Sequence, residues 1–321
     1  MIRRLLLACA FIAAAAAPAA AEKRIALSFD DVPRIPGTFM TPDQRTERLI
    51  GALRRAGVRQ VAFFLNPGNL AQPYGAGGEA RIQAYVHAGH VIANHSMTHP
   101  SLSQIGAEAY LANIDQAAAW LNGRPGTRPW FRYPFLDEGI RRDVATRDAV
   151  RAGLAARHLH NGYVTVDSMD WFLDQLLGQA QAAGQTVDQN GLRVLYVQIL
   201  VEAAEFENQL ALDSLHRQPI HVVLMHETDL EAMFVADAVA ALRAHGWHIA
   251  TIDEAYADPI AAREPDSPQL GAGRVAALAS EPGVAHGPLV PPHNTTEWVT
   301  EQFNTRVLHL PPPAPAPAPA Q

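Results

Sequence analysis

Cysteine is all but missing from this chain of 321 residues: Cys9 is the only one, and it sits inside an N-terminal apolar run. No disulfide can form, and once that run is removed no thiolate is left for catalysis. Any metal must then be held by His, Asp or Glu. Positive charge is also short. Net charge is -7, with 25 Lys and Arg against 32 Asp and Glu, and no basic patch is interleaved with aromatics. Nucleic acid is therefore not an expected partner. Internal repeats are absent as well.

A long apolar span is lacking too. Arg3 and Arg4 precede the short run Leu5 to Ala17, and Ala19-Ala20-Ala21 offers a small-residue cleavage site before Glu22. That is the layout of a secretory signal, and the run is too short and Ala-rich for a membrane anchor. The expected organisation is a signal peptide over 1–21, a catalytic domain over 22–257 and an extension over 258–321. The extension ends in a Pro-Ala tail from Pro311 to Gln321 that reads as extended rather than folded. Trp298, Phe303, Val307 and Leu310 are candidates to strap the preceding segment onto the domain. The mature chain is expected to be secreted or periplasmic and monomeric, with no stable membrane span.

What the chain does have is 48% hydrophobic residues and a regular alternation of elements. Arg24 to Phe29, Val61 to Leu65, His90 to Ala93, Phe131 to Phe135, Gly162 to Val166, Ile220 to Met225 and Trp247 to Ile252 read as strands. Helices are expected between them. Four are opened by the capping patterns Thr41-Pro42-Asp43-Gln44, Ser101-Leu102-Ser103-Gln104, Thr228-Asp229-Leu230-Glu231 and Thr251 to Glu254. Residues 172 to 218 read as helical, broken near Gly184 and Gly191. Strand–helix alternation predicts an α/β fold with a parallel sheet or barrel.

Chemistry-bearing residues fall at the ends of these strands. Asp30-Asp31 closes the first, and two adjacent acids at one mouth repel unless a cation or proton sits between them. His95 and His99 follow the third strand; four residues apart, they would share a face of one helical turn. Two His and one Asp on one ion would leave positions open for water and substrate. Arg132, Asp167 and His226 also sit at strand ends. Each alone has an ordinary reading as ion pair, helix cap or satisfied histidine, with 14 His in the chain. Together they do not.

In this order the residues resemble the polysaccharide deacetylases of carbohydrate esterase family 4. Ser28-Phe29-Asp30-Asp31 is similar to the first motif and His95-Ser96-Met97-Thr98-His99 to the second. Arg132-Tyr133-Pro134-Phe135 is similar to the third, Asp167-Ser168-Met169-Asp170-Trp171 to the fourth and Leu224-Met225-His226 to the fifth. The resemblance covers about 24 to 254. It implies a distorted (β/α) barrel with fewer than eight complete strands; 172–219 is longer than the family pattern, a departure that reads as a helical insertion covering the site or lying on the surface. It implies Asp30 as general base, with Arg132 orienting it and favouring its charged form. Asp31, His95 and His99 would be metal ligands, and the Phe135 N–H an oxyanion donor. Asp167 would orient the general acid His226. Trp171 would wall the groove, and Leu224 would pack near the acetyl methyl.

The implied activity is removal of N-acetyl groups from an amino-sugar glycan of peptidoglycan or chitin type. The cofactor would be a divalent ion, zinc first, with cobalt, nickel or manganese as alternatives. Rival readings are an O-acetyl esterase or small-amide deacylase on the same fold, a non-catalytic glycan-binding protein, and an iron(II) oxygenase. Two further departures from the family stand out. Ser28 replaces the commoner Thr, and Tyr-Pro-Phe replaces Pro-Pro-Tyr, which removes a phenol from the groove but keeps the backbone N–H.

Overall fold

A computed structural model describes residues 22–139, 143–267, 273–284 and 286–311. The signal segment and nearly all of the Pro-Ala tail lie outside the described residues. The strands are β1 (Lys23–Val32), β2 (Ala62–Leu65), β3 (Val91–Asn94), β4 (Thr127–Phe131), β5 (His160–Asn161), β6 (Val166–Asp167), β7 (Ile220–His226) and β8 (Trp247–Ile249). They pair in the order β5-β4-β3-β2-β1-β7-β6, with β8 joined to the start of β1, and every pair is parallel. β5 and β6 are the two ends of the row although only four residues separate them in the chain, so the sheet curls into a distorted, incompletely closed (β/α) barrel.

The helices are α1 (Pro42–Arg55), α2 (Gly78–His87), α3 (Leu102–Leu121), α4 (Val144–Ala156), α5 (Asp170–Ala182), α6 (Gln189–Leu215), α7 (Asp229–Ala244), α8 (Ile252–Tyr256), α9 (Arg274–Ala279) and α10 (Thr296–Arg306). Strand residues alternate between two cores, as a period of two requires. Ile25, Leu27, Phe29, Phe63 and Met225 pack outward against α1, α5, α6 and α7. Ala26, Ala62, Phe64, Ala93 and Leu224 fill the other face. Each fully buried Leu or Phe of this layer contributes on the order of 2 kcal/mol.

Several sequence expectations shift. The strand expected over 131 to 135 lies over Thr127–Phe131 and tolerates Pro129, and the one expected over 162 to 166 is two short strands around a bend. Thr41 and Thr251 form their capping boxes. Ser101 and Thr228 make no side-chain cap; the Ser101 hydroxyl turns to Asp137 instead, at 2.9 Å.

The 172–219 stretch, expected as a helical insertion over the site or on the surface, is packed into the body of the fold. α6 buries Leu192, Leu195, Tyr196, Ile199, Leu200, Ala203 and Ala204, and it packs against α7, α9, α10, β6 and β7. A helix apolar around most of its girth must be enclosed, and α6 is a wall of the barrel. The extension beyond 258 is more ordered than its weak periodicity suggests. Val275 to Ala279 are buried, and Val299, Phe303 and Val307 seat the C-terminal segment in the outer core. Trp298 packs at its edge, whereas Leu310 is exposed. Among the described residues no helix is long and apolar enough to cross a membrane.

Candidate active site

Neighbouring side chains on a strand face opposite ways, so Asp30 and Asp31 need a backbone irregularity to share a mouth. The pairing of β1 with β2 shifts register between Phe29 and Val32, and Asp31 has φ +67°. That left-handed residue in a strand is strained. Asp30 points to Arg132, whose Nη1 donates to Oδ1 at 2.7 Å. Arg132 is buried, lies over the Phe64 ring, and also donates to the Gly162 carbonyl (2.6 Å), Ser28 Oγ (2.9 Å) and the Tyr256 hydroxyl (2.7 Å). This fixes the fork. Burial raises the Asp30 pKa to about 6, against the opposing pull of Arg132 and then His226. Arg132 thus favours the charged form, but desolvation outweighs it.

His95 and His99 do not share a helical turn. Residues 95 to 100 form an irregular loop with Ser96 at φ +67° and His99 at φ +57°. The Asn94 side chain accepts the Ser96 N–H, and the Asn66 amide donates to the carbonyls of His95 and Ser96. The two imidazoles meet with ring centres 4.9 Å apart. His95 Nδ1 is hydrogen-bonded to the Arg132 carbonyl at 2.8 Å, which leaves Nε2 bare toward the mouth. Asp31 Oδ1 lies 3.6 Å from that nitrogen and 3.3 Å from His99 Nε2. It is buried and has no hydrogen-bond donor among the described residues. Burial lowers both imidazole pKa values to about 4, so they are neutral. Burial would raise Asp31, but His226, His99, His95 and Arg34 together bring it down to about 2.

One ligand atom from each of Asp31, His95 and His99 lies within 4.8 Å of the others. Three electron-pair donors converging with no proton between them fit a divalent cation, and two imidazoles with one carboxylate are a donor set that zinc accepts.

Across the cavity stands His226, at the end of β7. Its partner is Asp170, not Asp167, which corrects the sequence expectation. Asp170 Oδ1 lies 2.9 Å from His226 Nδ1, and Oδ2 accepts the His226 backbone N–H at 2.6 Å. The reason is local. Met169 adopts φ +53°, which turns the chain into α5 so that Asp170, its first residue, faces β7. The Asp167 carboxylate instead accepts the Met169 N–H at 2.8 Å and borders the cavity. Burial would lower the His226 pKa, but the Asp170 charge and hydrogen bond raise it to about 9.

The cavity between these groups measures about 520 Å³. Trp171, 37% exposed, and Phe135, 67% exposed, face it, with Leu224 at its floor. Phe135 has φ +59°, its ring packs edge-on to His99, and its N–H finds no acceptor among the described residues. Of the 172–219 stretch, only Asp174 and Gln175 of α5 line the cavity.

Sequence reasoning missed several participants. Asp170 was inside a quoted motif, but its helix-start position was hidden by the left-handed Met169. Arg34 bridges Asp31 Oδ2 (3.2 Å) and Asp174 (3.4 Å) at the cavity wall. Tyr256 holds Arg132 from the far end of the domain. Neither carried a motif signal.

Comparison with known proteins follows the same line. A profile of the polysaccharide deacetylase family matches residues 17–156. A chitooligosaccharide deacetylase from Bradyrhizobium sp. (strain ANU 289) is 30% identical over 165 residues, which is 50% of this chain and 66% of that protein. The chain therefore spans about two thirds of the length of that relative. Among solved structures, a family 4 carbohydrate esterase from Streptomyces lividans in complex with acetate is 23% identical, over 73% of this chain and 95% of that one, with TM-score 0.46. A peptidoglycan deacetylase from Bacillus subtilis is 18% identical, over 74% of this chain and 91% of that one, also with TM-score 0.46.

Proposed function

We propose that this chain, which belongs to the polysaccharide deacetylase family, is a metal-dependent hydrolase that removes N-acetyl groups from an amino-sugar glycan. The observation that carries the reading is the opposition of two proton-handling groups across one cavity. Asp30, held by Arg132, stands on one side and His226, held by Asp170, on the other; the Asp31, His95 and His99 donors lie beside them.

A divalent cation held by Asp31, His95 and His99 would polarise the acyl carbonyl and make a water in the cleft more acidic. Asp30 Oδ1 is engaged by Arg132, so Oδ2 takes the proton as the water oxygen adds to the acyl carbon. The unpaired Phe135 N–H faces the charge that develops on the acyl oxygen. His226 Nδ1 is tied to Asp170, so Nε2 gives its proton to the amine nitrogen as the C–N bond breaks. Acetate and a free amino sugar result. Leu224 packs the acetyl methyl, and Trp171 offers an apolar face to a sugar ring.

Zinc is our first choice of metal; nitrogen and oxygen donors also suit cobalt, nickel and manganese. We place the enzyme in the periplasm or outside the cell. Support comes from Arg3-Arg4, the short apolar run and the Ala-rich cleavage site, and exported protein should begin at Glu22.

The test is acetate release from N-acetylated and O-acetylated chitin-type and peptidoglycan-type oligosaccharides by zinc-loaded protein. N-deacetylation is expected. Release from O-acetyl groups alone would make the protein an esterase, and no release from any of them would overturn the reading.

A further inference from the structure

Behind Asp170 lies a second carboxyl group that the proposed reaction does not use. Glu231, on the first turn of α7, is fully buried. The Tyr196 hydroxyl on α6 donates to its Oε2 at 2.5 Å. Its Oε1 has no donor among the described residues, and the carboxyl is within hydrogen-bonding reach of Asp170. Two buried carboxyls at that distance cannot both be ionised; one must carry a proton and give it to the other.

The surroundings decide which one. Asp170 accepts the Trp171 N–H at 2.8 Å, the His226 N–H at 2.6 Å and the bond from His226 Nδ1. Such donors favour a charged carboxylate. Glu231 accepts only the phenol among the described residues, and burial first, then the charges of Asp170 and Asp174 of α5, oppose its ionisation. The proton therefore belongs to Glu231.

We propose that Glu231 is a protonated positioning residue that donates its O–H to Asp170, making Tyr196, Glu231, Asp170 and His226 one hydrogen-bonded chain that sets the proton affinity of the acid. This rests on reading His226 as the general acid, but it is testable without substrate. A donor on Asp170 competes with the imidazolium for one charge, and it binds more tightly when the imidazole is neutral. It therefore holds the His226 proton affinity below the value Asp170 alone would impose. Besides Asp170, His226 faces the charges of Asp30 and Asp31 from β1, Arg34 from the loop after it and Asp167 from β6. Removing Glu231 changes none of these.

The test uses zinc-loaded protein and two readouts. Infrared difference spectra of wild type against Glu231→Gln should show the carbonyl stretch of a protonated carboxyl at neutral pH, lost in the variant. The titration of His226, followed by NMR of labelled imidazole, should move upward by about 0.5 to 1 pH unit in Glu231→Met, where the donor is gone. It should stay near wild type in Glu231→Gln, whose amide still donates. Absence of the protonated-carboxyl band would overturn the proposal even if Glu231→Met fails to fold. An unmoved titration in a folded Glu231→Met would overturn it as well. Failure to find a glycan substrate would touch the proposed function and leave both readouts intact.

Discussion

Replacing Asp170 by Asn tests which acid of the fourth motif serves His226. The side chain keeps its shape, and its oxygen can still accept the His226 backbone N–H, but the charge opposite Nδ1 disappears. His226 stands at about 9, some 2.5 pH units above the ordinary imidazole value of 6.5, a gap of roughly 3 kcal/mol. Burial alone would push it below that value, so the variant should titrate at or under about 6.5. At pH 8 the protonated fraction falls from about 90% to about 3%, a loss of roughly 30-fold before orientation is counted. With the ring no longer held, turnover should drop on the order of 100-fold or more. The sign for wild type follows from the same numbers. The active form carries the proton, so activity is present below about 9 and lost as pH rises through it. Acetate release measured from pH 5 to 10, with metal content checked in parallel, gives both effects. The basic limb should fall by at least two pH units in Asp170→Asn and stay in place in Asp167→Asn, because the Asp167 carboxylate bonds Met169 rather than His226. A shifted limb in Asp167→Asn, or an unshifted one in Asp170→Asn, would refute the assignment.

Other outcomes follow from the same geometry. Chelation should abolish activity and added divalent ion restore it, and His99→Ala, which removes one of three donors, should lower zinc affinity in a competition titration by at least 10-fold. Asp30→Asn should lose on the order of 100-fold in turnover yet keep its zinc, since Asp30 binds Arg132 and is not one of the three converging donors; metal loss as large as in Asp31→Asn would show that both acids are ligands. Phe303→Ala should cost about 3 to 5 kcal/mol of stability in a denaturant titration, because the ring is buried and seats α10. Deleting 178 to 214 should leave no folded protein, since it removes the buried face of α6; a stable, soluble deletion would return that stretch to a surface role.

Much of this was legible from residue order, and the parts that were not share a physical cause. Alternation of apolar strands with capped helices predicts a parallel barrel because each strand needs two covered faces. Motif residues at strand ends predict one rim because parallel strands all end on the same side. What periodicity cannot carry is a break in its own rule. Asp31, Ser96, His99, Phe135 and Met169 all sit at positive φ, and each re-aims a side chain in a way that counting along a strand or helix does not anticipate. The His pair was expected on a helical turn and meets instead across an irregular loop. Asp167 was expected against His226, and the turn at Met169 gave that place to Asp170.

Glu231 shows the same limit from the other direction. Three residues after Thr228 it reads as the far half of a capping box, a solvent-facing role worth about 1 kcal/mol. In the fold it turns inward to Tyr196, and the Thr228 hydroxyl has no partner among the described residues. A capping pattern states what a side chain can reach within its own turn. Whether it does so depends on what the neighbouring helix offers, and here α6 brings a phenol to a buried acid beside Asp170. The cost of burying that carboxyl is met only if it keeps its proton. A residue that helix-end statistics would assign to stability is thereby placed beside Asp170, the hydrogen-bond partner of His226.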